Sequence, residues 1–125
     1  VDKIIAADTG PEIVAGSTRM KAGTATKMIL NMISTTTMIS MGKVYGNLMV
    51  DLMAVNEKLV DRGARIIQNI TGKSYEKSLE TLIRANKSVK TAIVMIMRSC
   101  DIIDAQKKLS NANGMLREVI EGSDN

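Results

Sequence analysis

The sequence has no histidine, phenylalanine or tryptophan, and only one cysteine, one proline and two tyrosines in 125 residues. Losing histidine removes the usual general base, the usual neutral-pH switch and the commonest zinc ligand together, so any catalysis falls to carboxylates, lysine, tyrosine or backbone dipoles. A lone thiol, Cys100, excludes an internal disulfide. Its neighbours, Ile93 to Met97 before it and Ile102 and Ile103 after, mark a buried thiol rather than a nucleophile. With two tyrosines there is almost nothing to stack on bases, and the basic residues behind the net charge of +4 are scattered, so no nucleic-acid partner is expected. No apolar run approaches the roughly 18 to 20 residues of a bilayer span, and no charged-then-apolar leader opens the chain. A soluble, cytoplasmic protein with no membrane partner is expected, and the start at Val1 rather than methionine is expected to be that of a fragment.

What is present is aliphatic. Hydrophobic residues make up 45% of the chain and ten of them are methionine, so a core of Ile, Leu, Val and Met is expected and wholesale disorder is not. The length suits about one domain.

Lys3 to Asp8 is a short apolar stretch stopped by Thr9, Gly10 and Pro11, which fits a strand or a helix. As a strand it would need neighbours from outside this chain. From Ser17 or Thr18 to Met41 breakers are rare, and Met28, Ile29, Leu30, Met32, Ile33, Met38 and Ile39 put apolar groups on nearly every face. Such a helix is expected to be buried on all sides, in a larger α/β layer or a dimer interface, with a kink or break allowed at the β-branched Thr35 to Thr37. Gly42 and Gly46 bracket a joint. Leu48, Leu52, Val55, Leu59, Ile66 and Ile70 then recur at helical spacing as far as Gly72. Further helices are expected from caps at Ser74, Ser88 and Asp101, with Asn113 and Gly114 ahead of a last turn or two and a frayed tail over Glu121 to Asn125. Short helices on short connections suit an antiparallel bundle. The region from about Leu59 therefore reads as its own helical domain, and the region before it as the back end of another.

Gly10-Pro11-Glu12 followed by Gly16-Ser17-Thr18-Arg19-Met20-Lys21-Ala22-Gly23-Thr24 carries a local logic. Pro11 and Gly16 fix a turn, Ser17 and Thr18 offer hydroxyls and N–H groups at a helix start, and Arg19 and Lys21 add positive charge, which together describe a phosphate cradle. The plainer reading, which the pattern alone favours, is an N-capped helix with two solvated basic residues.

The run GPEIVAGSTRMKAGTATK, Gly10 to Lys27, resembles the signature shared by the N-acetylmuramic acid 6-phosphate etherases and the glucokinase regulatory proteins. NMISTTTMISMGKVYGNLMVDLMAVNEKL, Asn31 to Leu59, resembles the etherases in particular. Val60 to Ile120 is similar to their C-terminal helical part in pattern and in pieces such as KTAIVMIM, Lys90 to Met97. The fold this resemblance implies is mainly α in this chain. It comprises the C-terminal strand and helices of an α/β sugar-isomerase (SIS) phosphosugar-binding domain over 1–57, then a UBA-like helical bundle over 58–125. It also implies a homodimer with active sites near the subunit interface, and neither metal nor other cofactor.

The activity implied is that of a carbon–oxygen lyase in cell-wall sugar recycling. It removes D-lactate from the 3-ether of N-acetylmuramic acid 6-phosphate and leaves N-acetylglucosamine 6-phosphate, by elimination across C2 and C3 of the open-chain sugar and then hydration. The family's acid-base glutamates lie upstream of its GPE motif in segments that nothing here matches. No catalytic residue is therefore assigned in this chain, and the 125 residues alone are expected to be inactive. By position in the motif, Glu12, Ser17, Thr18, Arg19 and Lys21 are implied to lie at the sugar phosphate. Ser17, Thr18 and Lys21 would make polar contacts, and Arg19 would supply charge or brace the loop. Glu12 would either orient a hydroxyl or fix the turn by accepting N–H bonds. Lys43, Tyr45, Asn47 and Asp51 fall at the joint and read as joint and dimer contacts rather than ligand contacts.

Two other readings stand beside this one. The first is a non-catalytic sugar-phosphate-binding regulatory module resembling the glucokinase regulatory protein, which the KVYGNLMVDL segment argues against. The second is a helical interaction domain whose apolar stretch from Met28 to Met41 drives self-association.

Overall fold

A computed structural model describes residues 2–122, and the chain folds as two compact units that part between Thr37 and Met38. In the first unit the backbone leaves Lys3 to Asp8 without any ladder partner among the described residues. The expected strand therefore does not form, and Ile4 and Ile5 stand 84% and 65% exposed. A lone extended segment has no neighbour to take its N–H and C=O groups.

Helix α1 (Ala22–Ser40) starts later than Ser17 or Thr18, because residues 19–21 form a turn ahead of it. It passes through Thr35 to Thr37 unbroken. The Thr37 hydroxyl donates to the Ile33 carbonyl at 2.8 Å, as Thr26 does to Ala22 at 2.9 Å, so these side chains bond within the helix rather than competing with it. No residue of α1 is buried, and Met28, Leu30 and Met32 are each more than half exposed. The burial expected for this helix is not supplied by the described residues.

The second unit begins with the end of α1. Gly42, at φ +68°, lets the Gly42 N–H reach the Ile39 carbonyl at 2.9 Å and the Lys43 N–H reach the Met38 carbonyl at 3.1 Å, the paired bonds of a Schellman ending. Next comes a hairpin, β1 (Val44–Tyr45) with β2 (Leu48–Met49), in the register Val44 to Met49 and Tyr45 to Leu48. Its two-residue turn is Gly46, at φ +59°, and Asn47. Leu48, Leu52 and Val55 therefore do not belong to a helix. After the hairpin the chain stays extended and lies against the joint before Val89: Met53 bridges Ser88, the Ala54 N–H donates to the Lys87 carbonyl at 2.9 Å, and the Val89 N–H donates to the Leu52 carbonyl at 3.2 Å. Val50 and Ala54 are fully buried there, so residues 44–56 pack with the helices that follow them.

Those helices are α2 (Glu57–Thr71), α3 (Tyr75–Arg84), α4 (Val89–Met97), α5 (Ile102–Asn111) and α6 (Leu116–Glu121). Asn56, Ser74, Ser88 and Asp101 cap α2 to α5, each side chain accepting an N–H three residues on, and Gly72 closes α2 at φ +67°. Each cap contributes about 1 kcal/mol. Helix α4 is the centre: Val89, Thr91, Ala92, Ile93, Val94 and Met95 are all buried, against Ile66, Ile67, Leu82, Leu109, Leu116 and Val119. Burying each large aliphatic side chain is worth about 1.5–3 kcal/mol, so α4 does most to hold the unit together. The buried hydroxyls of Ser78 and Thr81 donate to the carbonyls of Ser74 and Lys77, both at 2.8 Å. The frayed tail expected from Glu121 is not seen at that residue, which closes α6, and residues 123–125 lie outside the described part.

Candidate functional site

The loop from Gly10 to Ala22, in the first unit, holds all five residues singled out as the sugar-phosphate contact. The Glu12 carboxylate accepts the backbone N–H of Lys21 on one oxygen and that of Ala22 on the other, each at 3.1 Å. The Lys21 ammonium donates to the Pro11 carbonyl at 2.8 Å. Glu12 and Lys21 thus close the loop from both sides, across nine to ten residues of sequence. Inside it the Ser17 N–H donates to the Val14 carbonyl at 3.0 Å, Gly16 turns at φ +82°, and the Gly23 N–H donates to the Thr18 carbonyl at 2.8 Å.

This geometry corrects one part of the cradle logic. Ser17 and Thr18 do not cap α1, and the N–H groups of Lys21, Ala22 and Gly23 already have acceptors within the protein. A helix start favours an anion, and here the anion is the Glu12 carboxylate. Of the two roles open for Glu12, the structure displays the acceptance of N–H bonds. Ser17 is half-buried, whereas Thr18 and Arg19 are exposed. The Ser17 and Thr18 hydroxyls and the Arg19 guanidinium form no hydrogen bond with another described residue. A cleft of about 180 Å³ also lies in this unit, lined by Ile5, Ala7, Ala22, Ala25, Thr26, Ile29 and Leu30, none of which carries a charge.

The joint residues fall in the second unit. Asp51 takes the Lys43 ammonium at 3.0 Å and the Lys90 ammonium at 3.4 Å, and Lys90 also donates to the Gly114 carbonyl at 2.9 Å. Burial pushes the Asp51 carboxyl up, but the two ammonium groups more than offset this and hold it below the usual carboxylate range. The Tyr45 hydroxyl donates to Glu121 at 2.8 Å, and Arg117 lies 5.9 Å from the centre of its ring. Lys43, Tyr45 and Asp51 therefore fasten the hairpin to the helices, while Asn47 is exposed in the turn. Lys90 and Glu121 complete these contacts and were beyond sequence reasoning, since each meets its partner across distant segments. Cys100 is half-buried, at the edge of the core rather than inside it as expected, and its thiol bonds weakly to the Val94 carbonyl; burial and then Asp104 push the thiol up.

Among the described residues no helix is long and apolar enough to cross a membrane.

Residues 46–90 match the family described as the C-terminal lid domain of glucokinase regulatory protein. The more specific likeness is along nearly the whole chain. It is 52% identical over 120 residues to an N-acetylmuramic acid 6-phosphate etherase of Geobacillus thermodenitrificans, covering 96% of this chain and 41% of the relative. It is 56% identical over 114 residues to the etherase of Oceanobacillus iheyensis, 91% of this chain and 39% of the relative, and 52% identical over 117 residues to that of Shouchella clausii, 94% and 40%. The resemblance carried by the GPE and GSTR runs therefore holds across the chain. The chain spans about two-fifths of the length of these relatives.

Proposed function

We propose that this chain is the C-terminal part of a lyase that cleaves the D-lactyl ether of N-acetylmuramic acid 6-phosphate to N-acetylglucosamine 6-phosphate and D-lactate. The observation that carries this reading is identity above half over at least nine-tenths of the chain to relatives named for that etherase activity. Residues 1–57 are assigned to the end of an SIS-type phosphosugar-binding domain and residues 58–125 to a UBA-like helical domain. The open apolar faces of α1 support the first assignment, because such a helix needs further layers around it. Glu12, Ser17, Thr18, Arg19 and Lys21 form the loop that lies at the sugar phosphate. The lyase is a cytoplasmic homodimer that needs no metal or other cofactor and has no nucleic-acid or membrane partner.

The catalytic acid and base are placed outside this chain, so the isolated residues release no lactate. The gene product that carries them, given N-acetylmuramic acid 6-phosphate, releases D-lactate. A second reading, a non-catalytic sugar-phosphate sensor, is favoured by the lid-domain match over 46–90. Binding of the sugar phosphate without lactate release would select it.

A further inference from the structure

We propose that Glu12 is a positioning residue. Its carboxylate closes the start of α1, so that an incoming phosphate is met by Ser17, Thr18 and Arg19 rather than by the helix N–H groups or the Lys21 ammonium. This rests on the sugar-phosphate reading of the loop given above. Orphan N–H groups at a helix start are ordinarily satisfied by a neighbouring Ser, Thr, Asp or Asn, which costs the chain no long loop. Ser17 and Thr18 stand close at hand and are not used in that way. The acceptor comes instead from nine and ten residues upstream, with both carboxylate oxygens engaged at 3.1 Å.

What the distant acceptor achieves is ring closure. Glu12 draws the Pro11 end of the loop onto the helix, and the Lys21 ammonium fastens the same end through the Pro11 carbonyl at 2.8 Å. Residues 13–20 are held between these ties, with Gly16 at φ +82° in a conformation that other residues rarely adopt and open space where its Cβ would stand. The Ser17 and Thr18 hydroxyls and the Arg19 guanidinium keep their hydrogen-bonding capacity within that ring. A phosphate moving onto the helix start would meet the Glu12 negative charge, whereas one at Arg19 meets a cation. The Lys21 ammonium, bonded to a carbonyl, anchors the loop.

The test compares Glu12→Gln and Glu12→Ala with the parent in the gene product that carries these residues. It measures lactate release from N-acetylmuramic acid 6-phosphate across pH and amide hydrogen exchange at Lys21 and Ala22. Gln keeps one acceptor oxygen and loses the other. Loss of both bonds in Glu12→Ala is expected to raise KM and to speed exchange at the two amides by about tenfold, with kcat within about threefold of the parent, and Glu12→Gln is expected to fall between. The pH profile should not move. A kcat collapse in Glu12→Gln with KM and amide protection retained would make Glu12 a reacting group and overturn the proposal. So would unchanged exchange in Glu12→Ala. If the parent itself releases no lactate, the etherase reading fails, while the exchange data still decide whether Glu12 closes the loop. Faster exchange at Lys21 and Ala22 when the sugar phosphate is added to the parent would show the ligand displacing Glu12, and would also overturn the proposal.

Discussion

Tyr45 in the hairpin donates its hydroxyl to Glu121 in the last helix at 2.8 Å, joining residues 76 positions apart. The bond ties the hairpin of the second unit to its last helix. Tyr45→Phe should lower stability by about 0.5 kcal/mol, the low end for a hydrogen bond because the pair is solvated. The bond to Glu121, then burial, raise the Tyr45 pKa. A raised folded-state pKa stabilises the fold below the ordinary phenol range and ceases to do so as pH climbs through the folded value. The gap between parent and Tyr45→Phe in urea melts should therefore be constant to about pH 9 and close above about pH 10.

Gly42 closes α1 at φ +68°, and a Cβ there would stand 2.5 Å from the Met115 sulfur and 3.2 Å from the Gly114 carbonyl oxygen. Backbone strain and overlap act together. Gly42→Ala should cost about 1–3 kcal/mol. Gly46→Ala, at φ +59° with open space around it, should cost only the backbone part, about 1 kcal/mol. Thermal melts of the two variants check the order, and equal losses would refute the close packing of Gly42 on Met115.

Against the opposing effect of its partial burial, Lys43 and Lys90 hold the partly exposed Asp51 carboxyl below its usual pKa. A depressed folded-state pKa contributes stability that is full above the unfolded value near 4 and lost as pH falls through the folded value. Asp51→Asn should thus destabilise at pH 7 by about 0.5–1 kcal/mol, discounted for an exposed carboxylate, and the difference should shrink below about pH 4. Denaturation curves at pH 7 and pH 3 measure it.

Much of the helical unit is legible because its signals are local. Ser74, Ser88 and Asp101 each cap the helix that starts at the next residue by accepting the N–H three residues on, and Gly72 ends one, so reading a few adjacent residues is enough. The hairpin is misread because Leu48, Leu52 and Val55 happen to repeat at helical spacing, although Gly46-Asn47 between Tyr45 and Leu48 is a hairpin-turn pair. The loop is only half legible. Its residues stand out by type, but the Glu12 closure spans nine to ten positions and is set by the path of the chain rather than by a short-range pattern.

The apolar faces of α1 carry a prediction of their own. Met32 and Ile33 are 58% and 50% exposed, and surface of this kind associates in water. The 125-residue chain should sediment as an oligomer at micromolar concentration, and the pair Met32→Glu with Ile33→Glu should return it to a monomer. A parent chain that is already a clean monomer would contradict this.

The most direct test of the account is D-lactate release from N-acetylmuramic acid 6-phosphate, measured side by side for the gene product that carries these residues and for residues 1–125 alone. The account predicts stoichiometric D-lactate and N-acetylglucosamine 6-phosphate from the first and none from the second. Turnover by residues 1–125 alone would contradict the placing of the acid and base outside this chain, and bound but intact substrate in the first would contradict the lyase itself.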